Sequence, residues 1–222
     1  MDQLDTLLQP LRHSPRLPEA VQRLSEQLRQ ESTLRQRFYR EMTPDQKIEF
    51  VDGEVILHSP ARNRHLDVTK YVAILLDTFT RLHALGTVKV EKCLCVFPRN
   101  DYEPDVVFFG VEKAGVLTAD TLKFPVPDLI VEVISSNTEA RDRGVKMEDY
   151  AANRVGEYWL LDPDKAVVEQ YVLREGAYEL VVKSSSGMLR GQVITGFACE
   201  VEALFDEARN LVALREILSG DS

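Results

Sequence analysis

The stretch PDLIVEVISSNTEARDRGVKMEDYA, residues 127–151, decides how this chain folds. Its first part alternates: Leu129, Val131 and Val133 fall on one face of an extended segment, and Ile130, Glu132 and Ile134 on the other. A segment apolar on both faces is a strand covered on both sides, as in a layered α/β sheet. Glu132 is then a carboxylate between two isoleucines. Removing an unpaired charge from water costs several kcal/mol, so Glu132 requires a basic partner or a metal ion, and the strand alone leaves both readings open. The second part turns helical. A helix over about Arg143–Asn153 sets Arg143, Lys146 or Met147, and Tyr150 along one stripe. Lys146 reads either as the i,i+4 ion-pair partner of Asp142 or as an ammonium reaching over the end of the Glu132 strand.

Upstream, YEPDVVFF places Asp105 at the first position of a strand over Val106–Phe109, directly before residues that must be interior. Pro-Asp at a strand start is commonly a turn or cap. Its interest comes from the pairing, since carboxylates at the ends of adjacent strands can share a hard cation. Before it, Val88–Phe97 reads as one strand, and His65–Ala84 as a helix with Val68, Val72, Leu75, Leu76, Phe79 and Leu82 on one face, stopped at Gly86. Ile48 and Phe50, then Asp52-Gly53, then Val55 and Leu57 spell a hairpin with a type I′ turn. Downstream lie strands over Glu157–Leu161 and Val167–Leu173, joined by Asp162-Pro163-Asp164. Tyr158 and Trp159 sit among leucines, which favours core packing over a base-stacking platform. The expected fold class is α/β with a mixed (α+β) sheet. Its expected organisation is a helical N-terminal extension over 1–43, a main domain over 44–206 starting after Thr43-Pro44, and a helical tail over 207–222.

The 222 residues are 44% hydrophobic and 28% charged, the balance of a folded globular protein. Net charge is −9, which argues against a protein that coats polyanions with its whole surface and leaves room for a local basic rim or a bridging cation. The longest apolar run, Val72–Leu76 beside Tyr71, falls far short of a membrane span, and the opening MDQLDTLLQP lacks the basic start and apolar centre of a secretory signal. Cys93, Cys95 and Cys199 are an odd number without finger spacing, which reads as reduced, buried thiols and a cytoplasmic protein.

The pieces EPDVVFF, PDLIVEVISSNTEARDRGVKMEDYA, GEYWLLDPDKAVVEQY and GFACEVEALF, in this order, resemble the Uma-type family of restriction endonucleases within the PD-(D/E)XK nuclease superfamily, over about Thr43–Phe205. The resemblance implies a restriction-endonuclease-like core of helix, three strands, helix and strand, here with an N-terminal hairpin and the helical extension. It also implies a metal-dependent endonuclease that hydrolyses DNA phosphodiesters. By that resemblance Asp105 and Glu132 are catalytic metal ligands for Mg²⁺ or Mn²⁺, and the backbone carbonyl of Val133 supplies one more oxygen. The lysine two residues beyond the second acid is replaced by Ile134, and the matching catalytic lysine is Lys146 on the following helix. Glu54, His65 and Tyr150 are candidates for the site border, and Arg62, Arg64, Arg141 and Arg143 for backbone-phosphate contacts. His65 also reads as a helix-start residue packed on the strands. A homodimer is expected, paired through the Val167–Leu173 hairpin edge and the N-terminal helix. The competing expectation is a catalytically silent nuclease fold that binds nucleic acid or protein. A third is a hydrolase of small phosphate esters with the same ligands.

Overall fold

The computed structural model describes residues 3–43 and 45–220. Pro44, at the expected start of the main domain, and residues 1, 2, 221 and 222, at the ends of the expected extension and tail, lie outside the described residues. Two helices come first, α1 (Gln3–Arg12) and α2 (Leu17–Glu41). The chain then forms β1 (Ile48–Val51), β2 (Glu54–Leu57), α3 (Asn63–Leu82), β3 (Gly86–Val90), β4 (Leu94–Val96), β5 (Asp101–Tyr102) and β6 (Val106–Gly110). A short α4 (Val111–Ala114) leads to β7 (Lys123–Phe124) and β8 (Leu129–Val133). The short α5 (Glu139–Asp142) and α6 (Val145–Ala152) return the chain to β9 (Glu157–Asp162). The remainder is β10 (Val167–Arg174), β11 (Ala177–Ser184), β12 (Met188–Arg190), β13 (Ala198–Glu200), a 3₁₀ turn (Val201–Leu204) and α7 (Glu207–Ser219).

Two sheets organise the molecule. The six-stranded sheet runs β11-β10-β9-β8-β6-β3, and the five-stranded sheet β2-β1-β5-β4-β7. Within the larger sheet only β8 and β9 are parallel, as expected for strands joined through helices α5 and α6. The alternation in LIVEVI is realised. Leu129, Val131 and Val133 join the core under α3 and α7, with Trp159, Phe197 and Ile217. Ile130 and Ile134 join the core on the opposite face, with Tyr102, Tyr150 and Tyr158. Trp159 is fully buried, and its indole N–H donates to Glu157, which suits packing and leaves no stacking platform.

Several local expectations need correction. Val88–Phe97 is not one strand. It breaks at Glu91 and Lys92, both at φ +48°, and its halves enter different sheets. Helix α3 ends at Leu82, and the left-handed residue after it is Ala84 rather than Gly86. Gly86 serves another purpose: at φ +144° it opens β3, and a Cβ there would stand 2.0 Å from the Phe109 carbonyl oxygen across the ladder. The second helix begins at Val145, after a break at Gly144. Strand β10 is interior, and β11 is the exposed edge. The Asp52-Gly53 hairpin forms as read, with φ of +51° and +86° at the turn.

Helix α2 is fastened to the smaller sheet by charge. The Arg35 guanidinium donates to both carboxylate oxygens of Asp101, at 2.5 and 2.7 Å, and to the carbonyls of Phe97, Pro98 and Asn100. Among the described residues no helix is long and apolar enough to cross a membrane.

Candidate active site

A cavity of about 470 Å³ opens where β6 begins and β8 ends, roofed by the β2–α3 connection and the loop after β8. Lining it are Asp105, Glu132, Lys146, His65, Lys47, Glu91, Glu103 and Asp142, with Arg62, Arg64 and Arg141 at the rim. The ladder explains the acids. Val106 pairs with Val131 in the antiparallel β6–β8 register, so one residue further Asp105 and Glu132 stand at adjoining strand ends.

Asp105 is buried. Its Oδ2 accepts the Val133 N–H at 2.9 Å, and its Oδ1 lies 2.7 Å from Lys47 Nζ and 3.2 Å from His65 Nε2. Burial opposes its ionisation, but the hydrogen bond from His65 and the Lys47 ammonium more than offset that and hold the carboxyl well below the usual range. His65 shifts upward, the Asp105 carboxylate outweighing its burial. Donor atoms of His65, Glu91 and Asp105 converge within 4.8 Å of one another, a set able to hold a metal ion.

Glu132 makes different contacts. Its Oε1 accepts from Lys146 Nζ at 2.9 Å and from the Tyr150 hydroxyl at 3.0 Å. Burial raises this carboxyl to about 8, with the Lys146 ammonium pulling it back and Asp142, Asp105 and Glu49 pushing it further. Lys146 is 3% exposed, which makes it an unusual lysine. Three carboxylates surround its ammonium: Glu132 and Glu49 at 2.9 Å, and Asp142 at 3.5 Å. They hold it protonated well above the usual range despite burial. Asp142 lines the cavity and its Oδ1 is buried without a directed hydrogen bond, so this floor carries anionic capacity that a cation would satisfy.

The structure thus brings Asp105, Glu132, Lys146, His65 and Tyr150 together, although Tyr150 lies beneath the floor and does not line the cavity. Val133 lines it, and its N–H serves Asp105. Arg62, Arg64 and Arg141 border the mouth, Arg64 pairing with Asp164. Two expected positions lie elsewhere. Glu54 is exposed beside the hairpin turn, opposite Val51, because the register that buries Glu49 places Glu54 at the tip. Arg143 points away from the mouth, its guanidinium forked onto Glu169 at 2.6 and 3.0 Å with Glu139 on its Nε. Residues missed from sequence are Lys47, Glu49, His58, Glu91, Glu103 and Asp142. Glu49 carried the same signal as Glu132, a single acid inside an apolar strand, IEFV.

Two strand-end acids and a helix-borne lysine thus meet at one cavity on a mixed α/β sheet flanked by helices. The chain belongs to the Uma2 family, described as a putative restriction endonuclease, which it matches over residues 33–202. A crystal structure of a putative nuclease belonging to DUF820 from Anabaena variabilis shares the fold with a TM-score of 0.66 and 15% identity, over 76% of this chain and 94% of that one. No curated protein matches.

Proposed function

We propose that this protein is a divalent-metal-dependent endonuclease that hydrolyses DNA phosphodiester bonds in the Asp105–Glu132–Lys146 cavity. The carrying observation is that buried acids from the ends of β6 and β8 and a buried ammonium from α6 line one accessible cavity. Asp105 and Glu132 would hold the ion, Mg²⁺ or Mn²⁺, with the Val133 carbonyl as a further oxygen and His65 and Glu91 as donors beside Asp105. When bound, the ion supplies charge stabilisation at the scissile phosphate and acidifies the attacking water. The chain does the rest. Lys146 presents an ammonium at the cavity floor, able to orient that water and to stabilise negative charge gathering on the phosphate. Tyr150 keeps Glu132 oriented from below. Arg62, Arg64 and Arg141 meet backbone phosphates at the rim, which positions a nucleic acid without reading its sequence. The acidic protein accepts a polyanion there because the rim is basic and the ion offsets the floor.

The same reading has the 44–206 domain working in the cytoplasm as a homodimer, with the 1–43 helices and the β11 edge as the contact surfaces. The test is cleavage of supercoiled plasmid with Mg²⁺, Mn²⁺ or EDTA, beside a small generic phosphodiester. Metal-dependent nicking of plasmid is expected. Turnover of the small ester alone would assign a phosphoesterase instead.

A second reading has one observation in its favour. Both lysines at the site are already neutralised by carboxylates, Lys47 by Asp105 and Lys146 by Glu49 and Glu132, as in a nuclease fold kept for binding. Metal-independent DNA binding without cleavage would select it.

A further inference from the structure

We propose that Glu49 is a positioning residue that keeps the Lys146 ammonium over the cavity floor when Glu132 turns to another partner, a role that rests on the reading of Lys146 as an acting group. Three carboxylates hold Lys146, from three parts of the fold: Glu132 on β8, Asp142 at the end of α5 and Glu49 on β1. Glu132 and Asp142 line the cavity, so an entering cation or substrate can recruit either one. Glu49 is fully buried, does not line the cavity, and is the carboxylate of the three that a ligand in the cavity cannot claim.

Its own attachments fix it. Oε1 accepts the Glu103 N–H at 3.1 Å, and Oε2 lies 3.1 Å from His58 Nε2. On β1, it pairs with Ile56 across the hairpin. The hairpin therefore delivers a rigid anion beneath Lys146 while Glu132, hydrogen-bonded only through Oε1 to Lys146 and Tyr150, has its other oxygen at its disposal. With Glu49 neutral, a cation that draws Glu132 away would leave the ammonium without an anionic partner below the floor, and Lys146 would follow Glu132 or turn to solvent. Glu49 reaches no substrate and acts only through Lys146.

The test observes the ammonium itself. In the full chain, a lysine NH₃⁺ held by buried carboxylates exchanges slowly enough for its ¹H–¹⁵N correlation to be seen, and its absence in Lys146→Met assigns it. In wild type the signal persists through a titration with Mg²⁺. In Glu49→Gln, which keeps an acceptor for the Glu103 N–H, the signal is present without metal and lost as Mg²⁺ binds. A metal-free arm removes both carboxylates that a ligand could recruit, in Glu132→Ala/Asp142→Asn: the signal survives there and disappears when Glu49→Gln is added. In cleavage assays Glu49→Gln lowers kcat by roughly 10–100-fold, the range for residues that orient a catalytic group, with KM within about twofold. Loss of the signal in Glu132→Ala/Asp142→Asn, or its survival once Glu49→Gln is added, overturns the proposal. So does a Glu49→Gln effect confined to KM. Absence of cleavage by wild type would sink the nuclease reading, while the metal-free arm still decides the role of Glu49.

Discussion

The Lys47 ammonium lies 2.7 Å from Asp105 Oδ1 and 3.3 Å from Glu91 Oε2, against two of the three side chains whose donor atoms converge beside the cavity. Lys47 immediately precedes β1, so the strand that buries Glu49 also delivers a cation to Asp105. An ammonium and a divalent ion compete for the same oxygens.

Replacing Lys47 with Met should therefore act in opposite directions with and without metal. Without metal, buried Asp105 loses its nearest cation. His65 and the Val133 N–H remain on it, so the expected cost is about 2 kcal/mol rather than that of a fully orphaned charge. With Mn²⁺ present, the variant should show a larger rise in Tm than wild type, and a tighter Kd by titration. An unchanged metal response would mean that Lys47 and the ion do not share Asp105.

Arg143 and Glu169 give a pH-dependent contribution to stability. Hydrogen bonds from Arg143 lower Glu169 to about 2, below its value in an unfolded chain. Because the folded state holds this proton less tightly, the stabilisation is complete above about pH 4.3 and is lost as pH falls toward 2. Arg143→Met should cost about 1–2 kcal/mol at pH 7, Lys183 and Tyr171 still serving Glu169, and the difference from wild type should shrink between pH 4 and pH 2.5 in urea unfolding curves.

The same geometry separates Arg143 from the rim arginines. Removing a phosphate contact lowers the slope of log K against log salt by about one, whereas removing an internal ion pair does not. Arg141→Ala should flatten the salt dependence of DNA binding in fluorescence anisotropy, and Arg143→Met should leave it unchanged. Equal slopes for the two variants would place the nucleic acid elsewhere.

The junction of α2 with the smaller sheet depends on Arg35. Asp101 is fully buried, and Arg35→Met would leave its carboxylate with only the Tyr39 hydroxyl of its side-chain partners. A cost of about 3 kcal/mol is expected, partly recovered by Asp101→Asn in the same chain. Full additivity of the two changes in denaturant unfolding would show that they do not act as a pair.

Much of the fold was legible because burial leaves periodic marks. LIVEVI announced a two-sided strand, and Asp52-Gly53 a tight hairpin. The division into two sheets was not legible. It depends on Glu91 and Lys92 taking left-handed conformations in a run with no glycine, asparagine or proline to signal a turn. At the site, the strand-end acids could be singled out because folding alone does not explain a buried carboxylate. What surrounds them comes from β1, the chain after β2, the β3–β4 turn, the residue after β5 and the end of α5. Glu49 sits in IEFV, where both faces prove to be covered, so the alternation of Ile48 and Phe50 does not by itself show that its acid is interior. Asp142 matched an ordinary helical ion pair with Lys146, yet the helix breaks between them at Gly144 and both side chains are buried. Arg143 looked like a rim residue until Glu169, on a strand far along the chain, captured it.

Hydrolysis at this cavity requires divalent ions to engage Asp105 and Glu132. The most direct measurement is isothermal titration of Mn²⁺ into wild type, Asp105→Asn and Glu132→Gln, each verified as folded. Stoichiometric binding by wild type is expected, weakened at least about tenfold in each variant, as when an ion loses a charged oxygen. Undiminished binding in both variants, or no binding by wild type, would contradict it.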